Sequence, residues 1–155
     1  MKAIASLLTA AALATAVACG TTAPATEPTQ AAPVPDADAA TRLHDIWALD
    51  RLGETAYAPV DGLEHPTLEL NLTDLRAMGT DGCNRFTGAI TEAGPEALHF
   101  GPLAGTRKLC RAGQDVSEGF NRALAQTTAY RLDDAGRLTL LDADGEALAV
   151  LRHVD

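Results

Sequence analysis

Residues 81–88, DGCNRFTG, set a cysteine and an asparagine between two glycines. Glycine and asparagine tolerate left-handed backbone conformations, so this stretch predicts a sharp turn that leads into a strand carrying Phe86 and Ile90. Gly88 lies on that strand and leaves room for another element to pack closely over it, and we expect that element to be a helix. Cys83 decides whether the turn is catalytic or structural, because it could attack a substrate, bind a metal or pair with another cysteine.

The N-terminus bears on that question because it holds another cysteine. Residues 1–18 read as a signal peptide, with positive charge at Lys2 and an apolar run that is too short to span a bilayer comfortably. The letters AVAC, residues 16–19, fit plain cleavage and release as a soluble periplasmic or secreted protein. They also fit a lipobox, in which Cys19 is acylated. We favour the lipobox because a free thiol at a mature N-terminus is an odd leftover in an oxidising compartment.

Residues 19–41 are therefore interpreted as a lipidated cysteine followed by a disordered tether. The segment is rich in proline, alanine and threonine, and it cannot bury enough apolar area to offset its ordering entropy. Acyl chains on Cys19, at about 0.8 kcal/mol per buried methylene, would anchor the protein to a membrane. Gly20, in place of aspartate, implies sorting to the outer membrane on the periplasmic side, by resemblance to bacterial lipoproteins.

Once Cys19 is assigned to lipid, Cys83 and Cys110 remain as an even count where thiols tend to oxidise. A disulfide is the favoured interpretation, and closing a loop of about 28 residues would stabilise the fold by roughly 3.5 kcal/mol in the chain-entropy model. The alternative is a reactive Cys83 with a histidine as its base, although no histidine lies near it in sequence. A reduced, inert pair is the third option.

Length, composition and charge limit the classes of protein. At 155 residues with 46% hydrophobic and 21% charged positions, the chain fits one globular domain, which we place at residues 42–155 and expect to be a monomer. Twelve basic and twenty-one acidic residues give a formal net charge of −9. That charge repels phosphate backbones, so nucleic acid is not an expected partner.

Short alternating runs in this domain predict half-buried strands. They are centred on Trp47 and Leu49, on residues 68–72, and on Leu98 and Phe100. The C-terminal residues 130–154 predict three strands joined by the turn sequences DDAG and DADG. Residues 115–126 instead have apolar side chains at helical spacing, and Asp115 and Glu118 have the spacing of a capping box. The predicted fold class is α+β, mainly antiparallel β: a small barrel-like domain with one packed helix.

Other candidate sites have simpler explanations than catalysis. Ser117, the only serine after the signal peptide, lies inside the predicted helix and lacks the G-x-S-x-G elbow of a hydrolase. Residues 141–148, LDADGEAL, superficially resemble a calcium loop, but a hairpin turn at Gly145 explains them better. The histidines lack the spacing typical of zinc sites, and we expect them on exposed strands or loops: His44, His65, His99 and His153. The sequence therefore predicts no catalytic residue, no metal and no cofactor.

Two motifs stand out in the domain, GCNRFTG at residues 82–88 and LHFGPLAGTRKLC at residues 98–110, and a predicted helix and hairpin follow them. With these motifs, residues 42–155 resemble the META domain of the HslJ-like heat-shock lipoproteins. Besides the two cysteines, the matching motif residues are Gly82, Asn84, Arg85, Phe86, Gly88, Thr106 and Arg107. The resemblance implies a small barrel-like domain, export to the envelope, and in some members a link to heat or antibiotic stress. It implies no catalytic residues.

These observations predict a non-enzymatic envelope lipoprotein that contributes to envelope stress, heat or antibiotic tolerance by binding an unknown envelope protein. The alternative is a carrier or inhibitor that holds a small apolar ligand inside the barrel. The side chains that would line such a cavity are Trp47, Leu70, Phe86 and Phe100. A domain of this size also needs such side chains for its core. A third class, a thiol enzyme, depends on Cys83 being free.

Overall fold

The computed structural model describes residues 41–154. The predicted signal peptide, the lipid site Cys19 and residues 19–40 of the predicted tether lie outside the described residues. The strands are β1 Ile46–Leu52, β2 Thr55–Ala56, β3 Thr67–Asn71, β4 Arg76–Thr80, β5 Arg85–Ala93, β6 Leu98–Phe100, β7 Ala104–Gly105, β8 Ala129–Leu132, β9 Arg137–Leu141 and β10 Ala147–His153, and the helix α1 is Gln114–Gln126. No helix among residues 41–154 is long and apolar enough to cross a membrane.

The strands form one antiparallel sheet in the order β6-β5-β4-β3-β1-β10-β9-β8, with β2 added to β1 and β7 added to β5. Two backbone hydrogen bonds join the ends of this order. Leu98 N donates to Thr128 O at 3.2 Å, and Tyr130 N donates to Glu96 O at 2.8 Å. The sheet is therefore nearly closed into a barrel, which leaves few exposed strand edges. This arrangement confirms the predicted fold class.

The core follows the alternation that predicted the strands. Leu68 and Leu70 of β3 are fully buried and alternate with half-buried neighbours, because successive side chains of a strand point to opposite faces. Trp47 of β1 is 2% exposed, and its Nε1–H donates to the backbone oxygen of Leu43 at 3.1 Å. A buried indole needs such a partner, so the one polar atom of this side chain does not destabilise the core.

The helix α1 packs against β1, β9 and β10, and its buried side chains are Ser117, Phe120, Ala123 and Leu124. The predicted apolar stripe is therefore confirmed, with Val116 at its edge. The predicted capping box is wrong. The N-cap residue is Gly113, with φ 68° and no side-chain cap hydrogen bond, so Asp115 already lies inside the first turn and cannot cap it.

The C-terminal meander of β8, β9 and β10 has the two predicted turns. Gly136 and Gly145 have φ values of 74° and 83°, which a residue with a Cβ adopts at a steric penalty. The side chain of Asp142 closes the second turn, because its Oδ1 accepts hydrogen bonds from the backbone N–H of Asp144 and Glu146 at 3.0 and 2.9 Å. This carboxylate stabilises the hairpin, as the turn interpretation of residues 141–148 expects.

Gly88 lies under a close crossing of the chain, but the neighbouring element is not the helix as we expected. The residues over it are Pro102 and Leu103, which lead into β7. The cause is the pairing of β7 with β5, which draws this segment across the strand. A Cβ at position 88 would lie 2.6 Å from Leu103 Cδ2 and 3.0 Å from Pro102 O.

We expect Gly88→Ala to lower the free energy of unfolding by about 2 kcal/mol, since the added methyl forces this segment away from β5. Gly94→Ala is the matched control, because its Cβ would find its nearest atom at 3.4 Å, an ordinary contact distance. Urea denaturation of the two variants checks the difference. A Gly88→Ala variant as stable as Gly94→Ala would show that the crossing is looser than the structure indicates.

Candidate functional site

The motif turn between β4 and β5 is built around the carboxylate of Asp81, a residue that is 4% exposed. Its Oδ1 accepts hydrogen bonds from the backbone N–H of Cys83 at 2.9 Å and of Asn84 at 2.7 Å. Asn121 of α1 donates from Nδ2 to Asp81 Oδ2 at 2.7 Å. One buried carboxylate therefore joins the turn to the helix, because its two oxygens accept hydrogen bonds from both elements.

These contacts also determine the charge state of Asp81. Burial by itself would raise the pKa of the carboxyl group, because it disfavours the charged form. Hydrogen bonds from the Asn84 backbone, the Ser117 side chain, the Cys83 backbone and the Asn121 side chain outweigh that effect, and the pKa lies below its ordinary value of 3.8. Asp81 is thus a buried carboxylate with its acceptors occupied, which suits a structural anchor.

Asn84 holds the segment that precedes the helix. We call residues 106–112 the strap. Asn84 Oδ1 accepts hydrogen bonds from the Thr106 hydroxyl at 3.0 Å and from the backbone N–H of Lys108 at 2.6 Å. Thr106 N donates to Arg85 O at 2.9 Å, and Arg85 N donates to Thr106 Oγ1 at 3.2 Å. The asparagine and the threonine of the two motifs are therefore partners in one network.

The strap is also held covalently. Cys83 and Cys110 form a disulfide, with their Cα atoms 6.2 Å apart, a separation that suits such a bond. This is the pairing that the cysteine count favours, and it occupies the sulfur that a thiol enzyme would need. The strap is consequently fixed to the motif turn on both sides of Leu109, by a hydrogen bond at residue 108 and by the disulfide at residue 110.

A groove of about 970 Å³ runs between the segment 101–110 and the helix α1. Phe86 and Leu103 contribute apolar surface to it, and Ser117 and Asn121 contribute polar atoms from the helix. On the other side of the strap lies a second hollow of about 370 Å³, bordered by residues 61–64. The strap thus stands between two depressions. Concave surfaces of this size are typical binding surfaces.

The side chain at the tip of the strap is the most exposed large apolar side chain among the described residues. Leu109 is 95% exposed, whereas Leu75 and Ile46, which follow it, are 46% and 43% exposed. Single exposed leucines are ordinary on protein surfaces. What distinguishes Leu109 is that the backbone is fixed on both sides of it.

The family model of the META domain matches residues 40–155 of the chain. The chain belongs to the META domain family. An NMR structure of a protein from Burkholderia xenovorans is 27% identical to this META protein and covers 83% of this chain and 96% of that chain, with a TM-score of 0.56. A second NMR structure, 19% identical over 72% of this chain and 90% of that one, shares the fold with a TM-score of 0.55. No curated protein matches the chain.

The remaining motif residues of the META domain have local structural roles. Gly82 adopts φ 99°, and a Cβ there would lie 3.3 Å from the backbone oxygen of Glu64. Phe86 is 5% exposed and meets Phe120 edge to face, with ring centroids 6.2 Å apart. Arg85 lies 3.8 Å from the Glu64 carboxylate with both side chains mostly exposed, so this ion pair contributes little. Arg107 is exposed on the strap.

The buried core of the META domain contains most of the side chains proposed as a ligand lining. Trp47, Leu70 and Phe86 belong to the buried core, and Phe100 packs against it while half-buried. Phe86 and Phe100 also border the groove beside the strap. Trp47 and Leu70 therefore serve the core, whereas the other two side chains of the proposed lining also face open space.

Each of the four histidines of the META domain has a contact of its own, and His44 and His153 both lie near the Asp45 carboxylate. These contacts are His44 Nδ1 with Leu72 N at 3.3 Å, His65 Nε2 with Leu49 O at 2.7 Å, His99 Nε2 with Glu92 Oε2 at 3.5 Å, and His153 Nε2 with Asp45 Oδ2 at 2.5 Å. Among residues 41–154, no group of three histidine, cysteine, aspartate or glutamate side chains is arranged to hold a metal ion. Ser117 is 9% exposed within α1, where its side chain contacts Asp81.

Sequence reasoning missed Asp81, Asn121 and Leu109 as important residues. A signal for Asp81 was present, because an aspartate two and three residues before the amides of Cys83 and Asn84 is placed to form an Asx turn. Asn121 gave no such signal, since it lies 40 residues from Asp81 and meets it only in the folded domain. Leu109 lies in a segment without periodicity, where exposure cannot be deduced from pattern.

Proposed function

We propose that this protein is a non-enzymatic binding protein of the cell envelope. In this proposal a lipid on Cys19 anchors it to the outer membrane, and the META domain contributes to tolerance of heat, antibiotics or other envelope stress by binding a partner. The resemblance to HslJ-like lipoproteins supports the stress role, and the signal sequence with its lipobox supports the location. The binding surface is the strap together with the groove beside it.

One observation carries the binding role: the strap is fixed at two points and presents Leu109 with 95% of its surface exposed. An exposed apolar side chain on a fixed backbone suits a partner, because binding then requires little further ordering of the main chain. The polar groups of the motif support this role. Asp81 and Asn84 use their side-chain oxygens in internal hydrogen bonds, so they hold the surface and do not act on a substrate.

Complementation of a deletion strain tests the proposal. The deletion should lower survival under heat, detergent or antibiotic challenge, and the wild-type gene should restore it. Leu109→Asp and Cys19→Ser should fail to restore survival when the proteins reach wild-type abundance, because the first removes the binding side chain and the second removes the acylation site. Ala143→Asp, on the exposed turn between β9 and β10, is the matched control and should restore survival.

Each part of the proposal has its own contrary result. A deletion strain as resistant as the parent under every challenge would refute the stress role. Full restoration by Leu109→Asp would show that the strap is not the binding surface. Full restoration by Cys19→Ser would show that the anchor is dispensable.

A further inference from the structure

The strap concentrates positive charge in an acidic protein. Arg107, Lys108 and Arg111 lie within five consecutive residues and are exposed, in a chain whose formal net charge is −9. Among residues 41–154, none of the three forms an ion pair. Their charges therefore remain available to an anionic partner, and an exposed cation cluster attracts such a partner over roughly a Debye length.

The three cations are close neighbours of the exposed Leu109 in sequence. The backbone that carries this leucine is fixed on both sides, by the hydrogen bond from the Lys108 amide to Asn84 and by the disulfide of Cys110. The result is an exposed segment with one apolar side chain and three neighbouring cations, and these residues also border the two depressions beside the strap. A segment of this composition matches a surface that is apolar below and anionic above.

We propose that the tip of the strap docks on an anionic phospholipid leaflet, with Leu109 inserted at the boundary between headgroups and acyl chains and with Arg107, Lys108 and Arg111 at the phosphates. This inference rests on the proposed function, because it identifies the partner of the strap as the membrane surface. Charge complementarity favours an anionic partner, and the exposed Leu109 among the cations favours a leaflet over an acidic peptide, because a leaflet offers an apolar layer beneath its charged one. Three cations near an anionic surface favour it over a neutral one by about a hundredfold.

Vesicle binding tests the proposal. The probe is the exported chain with Cys19→Ser, which cannot be acylated and keeps the disulfide. We expect it to sediment with vesicles of phosphatidylglycerol and phosphatidylethanolamine, to release from them at high salt, and to leave phosphatidylcholine vesicles unbound. Lys108→Glu combined with Arg111→Glu should weaken binding at least tenfold, and Leu109→Ser at least fivefold.

The matched control is Arg131→Glu combined with Arg152→Glu. It changes the net charge by the same amount at exposed positions of β8 and β10, away from the strap. We expect it to bind anionic vesicles within about twofold of the parent, since Debye screening limits the effect of distant charges. Thermal unfolding of all variants should match the parent, because every substituted side chain is exposed.

Several results would overturn the inference. These are failure of the parent chain to bind anionic vesicles, equal binding to neutral vesicles, or an equal loss in the two charge variants. The outcome is separable from the stress role. If vesicle binding fails while Leu109→Asp still fails to complement, the membrane is not the partner and the binding role stands. If vesicle binding succeeds while the deletion has no phenotype, the docking inference stands and the stress role fails.

Discussion

Replacing Cys83 and Cys110 together with serine should lower the free energy of unfolding by about 3.5 kcal/mol under oxidising conditions. The disulfide closes a loop with a sequence separation of 27 residues, and its removal gives the unfolded chain more conformations. The loop contains β5, β6, β7 and the start of the strap, so the constraint acts on three of the ten strands. A loss of this size is large for a domain whose net stability is about 5–15 kcal/mol.

Urea denaturation with and without reductant measures the effect. Wild type in reductant should unfold at the same urea concentration as the double serine variant, and reductant should leave the variant unchanged. The single variant Cys83→Ser should be no more stable than the double variant, because either substitution breaks the bond. Wild type whose midpoint does not respond to reductant would show that the two cysteines are not paired in the purified protein.

Replacing Asp81 with alanine should lower the free energy of unfolding by about 4 kcal/mol. The substitution leaves the part-buried amides of Cys83 and Asn84 and the Asn121 side chain without the buried carboxylate that accepts from them, and each donor left unsatisfied away from water is unfavourable by about 1–3 kcal/mol. Asp144→Ala is the matched control, since Asp144 is exposed on the turn between β9 and β10, and it should change stability by less than about 0.5 kcal/mol. Equal stability of the two variants would show that Asp81 does not have this structural role.

The lowered pKa of Asp81 also makes the stability of the domain depend on pH. Its pKa in the folded protein lies below the ordinary 3.8, so the unfolded chain binds a proton more readily than the folded one. The contribution of Asp81 is therefore fully present above about pH 5 and is lost as the pH falls through 3.8 and then through the lower folded pKa. Asp81→Asn should flatten this acid loss relative to wild type. An identical pH dependence in the two proteins would contradict the assignment.

The sequence predicted the elements whose hydrophobic period is clear. The leucines of β3, the stripe of α1 and the glycine turns of the meander each have a local pattern. Strand β4, RAMGT, has no such pattern, because it is defined by pairing with β3 and β5 on both sides. Its Gly79 shows the tertiary constraint: a Cβ there would lie 2.0 Å from the backbone oxygen of Thr67, so only glycine fits.

The disulfide of the site could be predicted from the sequence, whereas its hydrogen bonds could not. An even count of cysteines after Cys19 was enough to favour the pair Cys83 and Cys110. The hydrogen bonds from Asn84 to the strap join residues 22 and 24 positions apart, and no local pattern encodes such a distance. The prediction of the helix N-cap was wrong for a similar reason. The N-cap residue Gly113 packs against Leu63 of a distant loop, and a Cβ at position 113 would lie only 2.4 Å from Leu63 Cδ1.

One experiment tests both the disulfide that fixes the strap and the lipid anchor on Cys19. It is the intact mass of the protein isolated from membranes and alkylated before and after reduction. We expect the mass of the acyl chains on Cys19, no alkylation without reductant, and two alkylations after reduction, at Cys83 and Cys110. Alkylation of Cys83 without reduction would contradict the disulfide that fixes the strap, and it would make Cys83 a candidate reactive thiol again. A mass without lipid would contradict the membrane anchor.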